Sequence, residues 1–113
     1  MRGRNSLDLR VLYDLKIEVR DMVNRASKIK SDIENGKEID TRDVVGILDE
    51  AEHFVLTKSI IYGFDLDYRK EIGEELDRYK KEVGNGLANE NRIYDAVCYT
   101  LELFKKFRRK LHV

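Results

Sequence analysis

Proline, tryptophan and glutamine are absent from this chain, and cysteine occurs once. Without proline, no segment is forced to kink or stop from within. The lone Cys98 excludes an internal disulfide and fits a reducing compartment. No apolar run reaches the roughly 18 residues of a membrane span, so no membrane partner is expected. The opening Met1-Arg2-Gly3-Arg4-Asn5 lacks the apolar stretch of a secretory signal, so a cytoplasmic location is expected. Charge of one sign is missing too: 22 basic and 22 acidic side chains cancel. That balance argues against a general polyanion binder but leaves room for a local basic patch. Absent glutamine combined with dense, balanced charge is a pattern of heat-adapted proteins, and a thermophilic, archaeal source is expected.

What is present is a repeated apolar beat. Leu12, Leu15, Val19, Met22, Ala26, Ile29 and Ile33 recur at alternating steps of three and four. Ile93, Val97, Thr100, Phe104, Phe107 and Leu111 do the same near the end. This spacing places one apolar stripe along one side of a helix, and four such stripes must be buried together. The chain of 113 residues is expected to form a single domain, residues 1–113.

Helix 1 is expected from about Leu7 to Glu34, stopped by Asn35-Gly36. Helix 2 follows Asp40 as N-cap, with Ile39 and Val44 placed to form a hydrophobic staple, and runs to about Tyr62 before Gly63. Helix 3 begins at Asp65 or Asp67 and ends near Val83, with Tyr68, Ile72, Leu76, Tyr79 and Val83 as its stripe. Glu74 with Arg78, and Asp77 with Lys81, are spaced as i,i+4 pairs. After the turn Gly84-Asn85-Gly86, helix 4 starts between Leu87 and Asn91 and runs to the end. Gly46 and Gly73, inside helices, are expected to let neighbours come close. Short links make sequential helices antiparallel, so the expected fold is an all-α, up-down-up-down four-helix bundle. Helix 1 is longer than its neighbours and must overhang or meet something outside its own chain.

Two surfaces stand out. Val45, Leu56 and Ile60 fall off the apolar stripe of helix 2, and Tyr13 and Ile17 fall on the outer side of helix 1. Together they form the expected contact for a second subunit. The other surface is basic: Arg2, Arg4 and Arg10, then Lys58, Arg69 and Lys70, then Lys105, Lys106, Arg108, Arg109 and Lys110, gather at one end with Tyr13, Tyr62 and Tyr68. Cations interleaved with aromatic rings suit single-stranded nucleic acid. The same cations also offset the negative end of helix 4's dipole.

Chemistry leaves fainter marks. Glu50-Ala51-Glu52-His53 has the Glu-x-x-His step of di-iron bundles, yet His53 lies away from the stripe. No metal or other cofactor is expected. Glu71-Ile72-Gly73-Glu74-Glu75-Leu76-Asp77 resembles the carboxylate-rich helix of MazG-like nucleotide pyrophosphohydrolases, which are Mg²⁺-dependent helical enzymes. The resemblance covers that segment, and the second acidic cluster such enzymes carry is matched poorly by Asp49, Glu50 and Glu52. The paired arginine and histidine of HEPN bundles have only Arg108 or Arg109 with His112 to answer them, too tightly spaced. The expected role is therefore non-enzymatic: a small interaction protein, a homodimer or a subunit of a larger complex. Nucleic-acid binding through the basic end comes second, and a Mg-dependent pyrophosphohydrolase-like enzyme third.

Overall fold

The computed structural model describes residues 8–59 and 63–110. Four helices and no strand occur among them: α1 (Asp8–Glu34), α2 (Thr41–Thr57), α3 (Leu66–Gly84) and α4 (Glu90–Lys110). Their contacts are those of a bundle, with α2 packed chiefly on α3 and α1 chiefly on α4.

The starts follow local chemistry. Asp40 accepts from the Arg42 N–H and caps α2, while Ile39 packs against the core that contains Val44. Asp65, not Asp67, caps α3 by accepting from the Tyr68 N–H at 2.8 Å. Asn89 does the same for α4 through the Arg92 N–H. Gly36 and Gly86 take φ of +72°, which a side chain would strain, and so end α1 and α3 cleanly.

Helix α2 stops at Thr57, several residues short of the expected Tyr62. The Thr57 hydroxyl donates to the His53 carbonyl and the Ser59 hydroxyl to the Val55 carbonyl. Such back-bonding competes with the helix ladder in its last turn. Ile61 and Tyr62, expected to extend the stripe, lie outside the described residues.

The core forms one cluster running the length of the bundle. Phe54, Phe104 and Phe107 are fully buried and stack at ring separations of 5.1–5.4 Å, with Phe64 from the α2–α3 link completing the group. Each such ring contributes about 1.5–3 kcal/mol by leaving water.

The two helical glycines differ. A Cβ on Gly73 would sit 3.1 Å from Leu56, so α2 and α3 are close there, as expected. Gly46 has nothing within 4 Å and admits no neighbour, contrary to expectation. It faces an open groove beside Arg25 and Lys28 instead.

Helix α1 is the long one. Arg25 meets Glu50 and Glu18 meets Lys58, the residue that caps the end of α2. Glu18 is thus level with the end of α2, and Val11 and Asp14 line a groove with Thr57 and Lys58 there.

Candidate functional site

Three surfaces carry the residues singled out by sequence. The first is the last turns of α4. Lys106 donates to the Tyr68 hydroxyl at 3.1 Å and lies over its ring. Lys110 lies 5.1 Å from the Phe64 ring centre. These contacts bring α4's cations to the α2–α3 link, and Lys58 joins the start of α1 to the same end. Lys105 faces Glu102 at a loose 3.5 Å. Arg108 and Arg109 are exposed and make no ion pair among the described residues. Arg2, Arg4, Tyr62 and His112 lie outside those residues.

The second surface is the outer side of α1. Tyr13 is 63% exposed, and Ile17, one turn on, is 40% exposed. Val11 is exposed as well, at the edge facing Thr57 and Lys58 of α2.

Leu56 does not join them. It lines the groove between α2 and α3, beside Gly73, Lys70 and Glu74, whereas α1 meets α2 along the edge of Thr57 and Lys58. Val45 is half-buried against the core, on the side where α3 passes at Gly84. It was expected to face water because a helical wheel shows only one stripe, and α3 covers a second. Ile60 lies outside the described residues. The expected patch thus divides: Tyr13 and Ile17 on one face, Leu56 and Val45 at another.

The third surface was not legible in the apolar stripes. Helices α3 and α4 make few backbone contacts and leave an open groove of about 480 Å³ between them. Ile72, Tyr79 and Leu103 form its floor, and Tyr68 and Tyr99 stand half-buried in it. Tyr79 and Tyr99 pair at 5.6 Å, and the Arg92 guanidinium stacks 4.4 Å from the Tyr79 ring while forking onto Glu82. Burial pushes the Tyr99 phenol up to about 12, with nearby Glu75 adding to the shift. Burial raises Tyr79 as well. Three tyrosines on facing helices are the available signal, but Tyr79 reads from spacing only as a stripe residue, and Tyr68 as a stripe residue and a ring of the basic end.

The acidic helix resolves into ordinary ion pairs. Asp77 holds Lys81 as expected, but Arg78 takes Glu75, one residue nearer than Glu74. Lys80 binds Asp49 and Glu52 across α2, which draws its ammonium up and keeps it charged. Glu71 and Glu74 remain exposed. His53 is exposed, and no three metal-binding side chains converge among the described residues. Cys98 is half-buried at the groove. Its neighbour Tyr94 hydrogen-bonds Glu34 across to α1, which holds that carboxylate below its usual range and raises the phenol. No helix among the described residues is long and apolar enough to cross a membrane.

No family model, no curated protein and no solved structure matches this chain.

Proposed function

We propose that this chain is a non-enzymatic helical-bundle interaction module that works by docking through its surface. The observation that carries this is the outer face of α1. Tyr13 and Ile17 stand one turn apart on a helix whose opposite side is already buried in the core. A helix with apolar residues on both sides has a second face to cover.

The matching bundle topology is antiparallel throughout. Support comes from paired heights: Lys80 with Asp49 and Gly73 with Leu56 between α2 and α3, and Arg92 with Glu82 and Lys106 with Tyr68 between α4 and α3. A cytoplasmic setting accords with the single thiol. A heat-adapted source accords with ion-pair networks such as Arg25 with Asp21 and Glu50.

The test is cross-linking in cells. A photoreactive residue at Ile17 should yield a discrete cross-linked protein, and one at Lys28, farther along α1, should not. No product at Ile17 contradicts the proposal.

A second reading is nucleic-acid binding through the basic end. It is favoured by Arg108 and Arg109, exposed cations without an acidic partner among the described residues. Affinity for a single-stranded probe should then fall steeply with salt and weaken when both arginines become alanine. No binding at low salt removes it.

A further inference from the structure

We propose that the α3–α4 groove is the contact face of a two-fold dimer, its occupant a second copy of this chain. The inference rests on the reading of the chain as an interaction module but uses a different surface from α1.

The groove has the make-up of an interface core. Its floor is apolar, and Tyr68 and Tyr99 offer half-buried rings. Tyrosine and arginine are the residue types most concentrated where proteins meet.

The charges on its rims say what fits. Three contacts set the relative heights of the two helices: Tyr68 lies level with Lys106, Tyr79 with Tyr99 and Glu82 with Arg92. Read from the basic end, Asp67, Glu71 and then Arg78 are exposed and fall on one side of α3, next to the face of Tyr68 and Tyr79 at 100° per residue. The α4 rim carries Arg109, Lys106, Glu102 and then Asp95, and Arg109, Lys106 and Asp95 lie within about 3 Å of those heights at 1.5 Å per residue. Apart from Glu75 and Glu102 at mid-height, the order is acid, acid, base on α3 and base, base, acid on α4.

A two-fold axis parallel to the helices lays α3 of one copy over α4 of the other without changing height. Asp67 then meets Arg109, Glu71 meets Lys106 and Arg78 meets Asp95, and symmetry repeats each pair. A two-fold interface must be complementary to itself, and these rims are. At mid-height Glu75 would face Glu102. Glu102 has Lys105 on its own chain, and Glu75 shares its own chain's Arg78 with Asp95 of the other copy. The zero net charge of the chain adds no long-range repulsion between copies.

The experiment is sedimentation equilibrium of the full chain with two exposed charge reversals, Asp67→Lys and Arg109→Glu. The wild type should be a dimer that dissociates as salt rises. Each variant alone should associate at least tenfold more weakly, because both copies of one pair become like-charged. Mixing the two variants should restore the dimer, since each then supplies the sign the other lost. Circular dichroism checks that both variants keep their helices. A wild type that stays monomeric at every salt concentration overturns the inference, and so does a mixture no heavier than its parts. Either result leaves the α1 face to its own cross-linking test. A monomer that instead shifts a single-stranded probe, and loses that with Arg109→Glu, also overturns it in favour of a nucleic acid in the groove.

Discussion

Helix α3 packs on two neighbours in opposite ways. Toward α2 it presents Gly73 and Gly84, where an added Cβ would lie 3.1 Å from Leu56 and 3.9 Å from Val45. Toward α4 it presents Tyr68 and Tyr79, and the backbones stay apart with rings and long cations bridging the gap. Residue size on each flank sets the spacing. The glycine flank gives a closed contact sealed by Lys80 with Asp49 and Glu52. The tyrosine flank gives an open groove, and that is where a partner can fit.

Substitutions break or sharpen this contrast. The largest effect is expected at Leu76, fully buried in the core that both flanks border. Leu76→Ala should cost about 2–5 kcal/mol in chemical denaturation, as deep core truncations do. Opening the closed flank comes next. Gly73→Ile would push a branched side chain against Leu56, and overpacking of this kind costs about 1–3 kcal/mol.

Gly46→Ala is smaller and of opposite sign. Nothing lies within 4 Å of the new methyl, so the gain in helix propensity should stabilise by about 0.5–1 kcal/mol. Gly73→Ala should gain less, because Leu56 must shift by a few tenths of an ångström. Equal melting temperatures for the two variants would erase the contrast between the glycines.

The smallest effect is on the open flank and depends on pH. Tyr99 ionises near 12 in the folded chain against an ordinary 10.0, so folding holds its proton. That contribution is complete below pH 10 and is lost as pH rises toward 12. Tyr99→Phe should remove the latest step in the ultraviolet titration of the tyrosines and flatten the alkaline fall in stability. An unchanged titration curve would mean the ring is not buried.

Local signals are legible in the sequence where short-range chemistry decides. Asp40, Ile39 and Val44 gave the start of α2, and Asn35-Gly36 gave the end of α1. Asp65 and Asp67 are equivalent as letters, and the Tyr68 N–H, which meets the Asp65 carboxylate, decides between them. Side-by-side geometry was harder. Val45 and Leu56 look outward on a wheel centred on one stripe, yet α3 comes to lie beside both. Gly46 and Gly73 are alike as letters and unlike in surroundings. The groove depends on how far apart two helices settle, and no periodicity within one helix encodes that distance.

Cys98, the chain's single thiol, lines the tyrosine groove and reports directly on whether that face is covered. Its rate of reaction with a maleimide should fall as protein concentration rises at low salt, and recover when salt is added. A rate independent of both would mean that nothing closes over the groove, and the open flank of α3 would lose its assigned role.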